Sequence, residues 1–103
     1  MSDGDNLTEK ILTEMHEMQD WVSVADVLKV MGTNSWVASV ETVQSILDCV
    51  NSSDRLRIGR VDNGYKEIPK PLPIAALLER IFREEDASNR SAEMMQLFID
   101  QVR

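Results

Sequence analysis

The spacing of apolar residues changes once along this chain, and the change constrains the fold more than any other feature. Through residues 7–50 apolar side chains recur at helical spacing, whereas residues 55–68 alternate between apolar and polar types. Asn63-Gly64 lies within the alternating stretch, and this dipeptide is the strongest short-range signal for a two-residue hairpin turn. The sequence therefore predicts several helices followed by one β-hairpin.

Three helices are predicted before the hairpin. Ser23 and Ser39 stand at N-cap positions, Asn6 can cap the first helix, and Gly32 is placed to end the second in a left-handed conformation. Residues 1–6 are expected to form a flexible N-terminus. The three helices are predicted over about residues 7–19, 24–31 and 39–50.

The segment after the hairpin is predicted to be helical as well. Three prolines at residues 69–73 forbid further strand pairing and predict an extended connector. Residues 74–103 then read as two amphipathic helices, the first ending near Glu85 and the second capped by Ser91. The apolar stripe of the second consists of Met94, Met95, Phe98, Ile99 and Val102. Their apolar stripes predict packing on the rest of the domain, with a homodimer interface as the alternative.

The order helix, helix, turn, helix and hairpin resembles the winged helix-turn-helix superfamily of small bacterial or phage regulators. The resemblance is carried by residues 21–28, 39–48 and 55–68, and it covers residues 7–68. It implies a fold that is mainly α with a small β-hairpin: a winged-helix core over 7–68, with the wing at 55–68, plus two C-terminal helices. It also implies DNA binding, with the third helix reading bases.

Charge on the predicted third helix favours a protein partner over DNA. No Lys or Arg occurs from Val30 to Asp54, and the chain has a formal net charge of −7. Proteins that bind DNA gain most affinity by neutralising phosphates, which this helix does not do. The helix has a predicted core stripe of Val40, Val43, Ile46, Leu47 and Val50, and helical spacing places Cys49 on the opposite, exposed face. The predicted partner-binding residues of that exposed face are Glu41, Thr42, Gln44, Ser45 and Asp48.

The predicted wing has the opposite charge. Five basic and two acidic residues lie between Arg55 and Lys70. A two-residue turn would pair Arg60 with Glu67 and Val61 with Lys66, and it would place Lys66 on the face of Arg55 and Arg57. Such a ribbon could bind a phosphate backbone or an acidic protein, or its arginines could simply pair with neighbouring acids. Its candidate contact residues are Arg55, Arg57, Arg60 and Lys66.

The side chain of Trp36 can be either exposed or buried, and the sequence leaves both alternatives open. It lies in a segment between the second and third helices that is longer than a tight helix-turn-helix connection. An exposed Trp36 beside Val37 would be an interface hot spot, whereas an indole that folds back would cover the core. Trp21 is expected to pack under the wing.

Catalysis is not expected from this sequence. His16 and Cys49 are single residues without a positioned partner in sequence, and no glycine-rich phosphate loop occurs. We expect no cofactor and no metal. The first residues do not resemble a secretory signal, and no apolar run approaches the length of a membrane span, so we expect a cytoplasmic or nuclear protein without a membrane partner.

The sequence thus predicts a non-catalytic winged-helix adaptor or regulator that docks on a protein partner. The alternative is a transcription regulator that contacts DNA through the basic wing, as a monomer or a dimer.

Overall fold

The computed structural model describes residues 3–18, 21–61, 63–83 and 85–102, which form five helices and one four-stranded antiparallel sheet. Five helices and the hairpin are as predicted, but the larger sheet makes the fold mixed α/β. The elements are α1 (Asp3–Met18), β1 (Val22–Ser23), α2 (Val24–Val30), α3 (Val40–Ser52), β2 (Leu56–Val61), β3 (Tyr65–Glu67), α4 (Ile74–Phe82), α5 (Ala87–Met95) and β4 (Leu97–Gln101).

Local capping fixes the start of the second and third helices. Ser23 and Asp26 form a reciprocal capping box, in which each backbone N–H donates to the other side chain, at 3.0 and 3.1 Å. Ser39 Oγ accepts from the backbone N–H of Thr42 at 3.2 Å at the start of α3. Gly32 has φ +87°, the left-handed conformation predicted for it. These local predictions are confirmed.

The predicted ends of two other helices are wrong. The helical backbone of α1 begins at Asp3, so Asn6 is an interior residue and residues 3–6 are not a separate flexible segment. No proline interrupts the helix there. The prediction for α4 extended to Glu85, but that helix ends at Phe82. Met1, Ser2, the predicted α1 end at Gln19, Glu84 and the predicted last-helix end at Arg103 lie outside the described residues.

The largest correction concerns the last predicted helix, which the sequence pattern begins at a Ser91 cap and continues to the end of the chain. Asp86 caps α5 instead, because its carboxylate accepts from the backbone N–H of Ser88 at 2.7 Å. The helix ends at Met95, and residues 97–101 form β4. Leu97 and Ile99 are fully buried while Phe98 and Asp100, which alternate with them, are half-buried, so burial follows the period of a strand.

β4 lies between β1 and β2 in the sheet, whose order is β1-β4-β2-β3. It pairs with β2 over five residues, from Leu56 opposite Gln101 to Arg60 opposite Leu97, and with β1 over two. Two backbone bonds extend the β2 ladder, from the Val61 N–H to the Gln96 carbonyl and from the Val102 N–H to the Arg55 carbonyl. The C-terminal strand therefore joins the hairpin to the N-terminal part of the chain.

The hairpin is confirmed, but its predicted register is wrong by one residue. Val61 lies opposite Tyr65 and Arg60 opposite Lys66, so residues 62–64 separate the strands. Asp62 lies outside the described residues, and Asn63 and Gly64 both have positive φ. A one-residue shift exchanges the two faces of a strand, so Tyr65, not Lys66, shares the face of Arg57. This register lets the ring of Tyr65 pack directly on Gly59, which has no side chain.

One aliphatic core lies between the helices and the inner face of the sheet. α3 contributes the largest helical share, and the predicted stripe positions Val43, Ile46, Leu47 and Val50 have no exposed surface. The C-terminal elements contribute apolar side chains to the same core, namely Leu77, Ile81, Met94, Leu97 and Ile99. The apolar stripes on which the dimer alternative was based are therefore largely used within one chain.

An aromatic cluster covers the outer face of the sheet. The ring of Trp21 lies 4.8 Å from that of Tyr65 and 6.3 Å from that of Phe98, and Trp21 is 37% exposed. Trp21 therefore packs at the wing, as predicted, but at the surface and not beneath it. Tyr65 lies against Gly59: an added Cβ there would be 2.6 Å from Tyr65 Cζ and from the Lys66 carbonyl oxygen.

Gly59→Ala should therefore lower the free energy of unfolding by about 2 kcal/mol or more, because neither the Lys66 backbone nor the enclosed Tyr65 ring can move freely. Urea denaturation monitored by circular dichroism would measure the change. Gly32→Ala is the contrast, since a Cβ there meets no described atom within 4 Å and only its positive φ is penalised, by about 1 kcal/mol. A smaller loss at Gly59 than at Gly32 would contradict this packing.

Candidate functional site

The solvent-facing side of α3 is acidic and polar, as predicted. Glu41, Gln44, Ser45 and Asp48 are exposed, and Thr42 is half-buried. The two hydroxyl groups of this face make hydrogen bonds within the first turns of the helix. Ser45 Oγ donates to the Glu41 carbonyl at 2.9 Å, and Thr42 Oγ1 lies 2.9 Å from Ser39 Oγ. The side chains most available for contacts are therefore Glu41, Gln44 and Asp48.

Two residues of α3 lie where the sequence did not place them. Cys49, assigned to the outer face, is buried, and its Sγ lies 3.1 Å from Thr8 Oγ1 of α1. Val40, assigned to the core stripe, is 40% exposed. The first turn of α3 extends beyond the core, so its first apolar side chain faces solvent.

An apolar patch precedes and begins α3. Trp36 is 57% exposed and Val37 is 71% exposed, next to Val40 on the first turn of the helix. We call these three side chains the Trp36 patch. The indole does not fold back over the core, so the exposed alternative for Trp36 is the one that the structure shows.

The segment that carries Trp36 is anchored by hydrogen bonds. Asn34 organises it, because its side-chain oxygen accepts from the Trp36 backbone N–H at 2.9 Å and its carbonyl accepts from Ala38 at 3.0 Å. Ser35 points inward, where its Oγ lies 2.6 Å from Ser91 Oγ of α5, and both serines are buried. The length of this connection, which exceeds a tight turn, provides an anchored platform for Trp36.

α5 adds an exposed methionine at the same junction. Met95 is 55% exposed, and its sulfur lies 3.9 Å from Ser91 Oγ. The contact with Ser91 brings Met95 close to the Ser35 anchor, next to Trp36 in sequence. The sequence could not indicate this neighbour, because Met95 was assigned to the buried stripe of a longer helix.

The arginines of the wing are paired with acids. Arg55 Nη1 lies 2.8 Å from Glu9 of α1, and Arg57 Nη2 lies 2.7 Å from Asp100 of β4. Arg57 also reaches Glu67 at 3.1 Å. Arg60 Nη1 lies 3.1 Å from Glu93 of α5. The alternative in which wing arginines pair with neighbouring acids is the one that the structure shows.

The two faces of the hairpin differ in charge because of the observed register. Arg57 shares its face with Glu67 and Asp100, and hydrogen bonds first to Asp100 and then to Glu67 raise the pKa of its guanidinium above the usual value. Lys66 lies on the other face, opposite Arg60. The predicted grouping of Lys66 with Arg55 and Arg57 is therefore wrong.

A cleft of about 370 Å³ opens beside β2 and the chain's C-terminal end, with Arg57 and Lys70 in its lining. Lys70 Nζ donates to the carbonyl oxygens of Ser53 and Leu56, the latter at 2.7 Å. Arg57 is occupied by its two carboxylates. Both cations in the cleft thus have structural contacts within the chain.

Features that would indicate other functions are sparse in the described segments. There, no three His, Cys, Asp or Glu residues are grouped so that they could hold a metal ion. None of the helices found there has the length and apolar character required to cross a bilayer. His16 is exposed on α1.

The Ser35–Ser91 contact can be tested by a double-mutant cycle. Ser35→Ala and Ser91→Ala should each lower the free energy of unfolding by about 1–2 kcal/mol, because each leaves a buried hydroxyl without its partner. The double variant should lose less than the sum, by about 0.5 kcal/mol or more. Urea denaturation gives all four values, and strict additivity would show that the two serines do not interact.

Tyr65 can be tested by an alkaline titration. Burial raises the pKa of Tyr65 to about 12, whereas an unfolded tyrosine titrates near pH 10. Its contribution to stability is therefore complete below about pH 10 and is lost as the pH rises through about 12. Because the chain has one tyrosine, phenolate absorbance reports this group alone. A midpoint near pH 10 in the folded protein would contradict this burial, and Tyr65→Phe should abolish the associated alkaline loss of stability.

Comparison of the chain with protein-family models, with curated proteins and with solved structures finds no match. The surfaces that bear on function are an anchored apolar patch, an acidic helix face and a hairpin whose arginines are paired with carboxylates.

Proposed function

We propose that this chain is a non-catalytic adaptor or regulator module that docks on a protein partner through the Trp36 patch and the outer face of α3. The observation that carries the proposal is the exposure of Trp36, Val37 and Val40 on a segment anchored by Asn34 and by the buried Ser35–Ser91 pair. Trp is the residue most enriched at interface hot spots. A segment that is already ordered loses little conformational entropy on binding, so more of its contact energy appears as affinity.

The charge around the patch indicates the chemistry of the partner. Glu41 and Asp48 are exposed on α3, and neither makes an ion pair with any residue that the structure describes. We infer that the partner has an apolar hollow for the indole, surrounded by Lys or Arg side chains. Opposite charge at the rim accelerates encounter and selects the partner, while the buried indole provides most of the affinity.

The order of elements supports a winged-helix scaffold for this module. α1, α2, α3 and the β2–β3 hairpin follow one another as in that superfamily, and one face of α3 is exposed as that of a recognition helix would be. The insertion of β4 between β1 and β2 is an addition from the C-terminal segment. In this proposal the fold keeps the exposed third helix but uses it on a protein surface.

DNA binding through the wing remains the alternative, but fewer cations are available for it than the sequence suggested. Arg55, Arg57 and Arg60 each pair with a carboxylate, and a phosphate would have to displace it. The acidic face of α3 would be repelled by a polyanion. These observations favour the protein partner.

Site-specific photocross-linking tests the docking surface. A photoreactive amino acid replaces Trp36 in one variant and Met18 in the other; Met18 is a matched control because it is an exposed apolar residue on α1, 47% accessible. We expect the Trp36 position to capture a discrete protein that the Met18 position does not. That protein is then purified, and its dissociation constant is measured for the wild type, Trp36→Ala, Met18→Ala and Asp48→Lys.

Trp36→Ala should weaken binding by about 30-fold or more, as expected when a central hot spot is removed, and Met18→Ala should leave it unchanged. Asp48→Lys should slow association and reverse its salt dependence. Capture of the same proteins from both positions, or an unchanged affinity of Trp36→Ala, would refute the proposal. Capture of nucleic acid at the Trp36 position would favour the DNA alternative.

A further inference from the structure

Two arginines share one carboxylate where the hairpin meets the C-terminal helices, and a lysine lies opposite one of them in the strand register. Arg60 Nη1 of β2 lies 3.1 Å from Glu93 Oε2, and Arg80 Nε of α4 lies 3.3 Å from the same oxygen. Lys66 of β3 lies directly opposite Arg60 in the strand register. We call these four residues the Glu93 cluster. Its formal charge is positive, although the whole chain is acidic.

The position of Lys66 opposite Arg60 does not stabilise the hairpin. Residues directly opposite each other in an antiparallel pair have their side chains about 5 Å apart, and like charges in that position are destabilising. Arg60 is compensated by Glu93 and also contacts Gln96 Oε1 at 3.1 Å. Lys66 is exposed and forms no ion pair within the described part of the chain. Its ammonium group is therefore available to a further anion.

Two members of the Glu93 cluster are mostly buried, and the other two are exposed to solvent. The side chains of Arg60 and Glu93 are only 17% and 22% exposed, so their pair is held against α5. Arg80 is 53% exposed, and it shares its one carboxylate oxygen with Arg60. A guanidinium with five donors retains most of its hydrogen-bonding capacity in such an arrangement. Arg80 and Lys66 are thus two accessible cations at the edge of the partly buried Arg60–Glu93 ion pair.

On the opposite face of the hairpin, by contrast, carboxylates of the same chain already occupy the arginine. There one cation, Arg57, is held by two carboxylates, Glu67 and Asp100. The register that places Tyr65 on Gly59 separates these faces, so that the arginines on one are matched by carboxylates and the other has a basic excess. The Glu93 cluster has one carboxylate and three cations, so it can bind further carboxylates from another molecule.

We propose that the Glu93 cluster is a second docking surface, which binds an acidic segment of a protein through Lys66 and Arg80. Carboxylates fit because the anion that already occupies this cluster is one, and the other wing arginines also bind carboxylates. Lys66 and Arg80 are both exposed, so an acidic peptide can place one carboxylate on each of them. A duplex is long and uniformly charged, so the acidic remainder of the molecule would repel it. This inference does not depend on the Trp36 patch.

Binding of a fluorescently labelled hexaglutamate peptide at low salt tests the proposal, with hexaglutamine as the uncharged control. The wild type is compared with Lys66→Ala/Arg80→Ala and with Lys10→Ala/Lys29→Ala. The second pair is the matched control, because it also removes two exposed cations but lies on α1 and α2. Denaturation curves for all three proteins verify that each is folded.

We expect saturable binding of hexaglutamate and not of hexaglutamine, weakening as salt is added. Lys66→Ala/Arg80→Ala should reduce the affinity about fivefold or more, and Lys10→Ala/Lys29→Ala less than about twofold. No saturable binding, or equal losses in the two variants, would overturn the proposal. Tighter binding of random duplex DNA that depends on Lys66 and Arg80 would assign the surface to nucleic acid. Self-association abolished by Lys66→Ala/Arg80→Ala would assign it to a second copy of the chain.

Discussion

The pairing of β4 with two strands is the interaction on which the rest of this structure depends. β1 is only two residues long, and an isolated hairpin is marginally stable in water, so neither would form a sheet alone. β4 pairs with both, and its fully buried Leu97 and Ile99 bring the sheet against the helices. The same pairing determines where α5 lies, because Gln96 alone separates the end of that helix from β4.

α5 in turn supports both surfaces proposed to bind partners. Ser91 holds the segment of Trp36 through its hydroxyl contact with Ser35, and Glu93 holds Arg60 and Arg80. Two residues apart on a helix, these side chains point to nearly opposite sides. One short helix thus connects the apolar patch to the basic cluster, and both positions are fixed by the strand that follows it.

Local features of this fold were predictable, and features that depend on distant contacts were not. The Ser23–Asp26 capping box and the Ser39 cap could be predicted because the partners lie three residues apart. The hairpin was also signalled locally, but its register depends on Tyr65 packing against Gly59 and Trp21, which no local pattern reveals. Met94, Met95, Phe98, Ile99 and Val102 match a helical stripe, so β4 could be identified only from the strands on either side of it.

The candidate site shows the same division between composition and geometry. The basic character of the wing was correct as a count, but a count does not show which acids are nearby. Glu9, Glu93 and Asp100 come from other elements, more than 30 residues away in sequence from the wing arginines that they bind. An ion pair is worth little at an exposed surface, yet it determines which cations remain available to a partner. For this chain the register of β3 therefore decides which cations are accessible more than the net charge of the hairpin does, because it leaves Lys66 opposite Arg60 and places Glu67 beside Arg57.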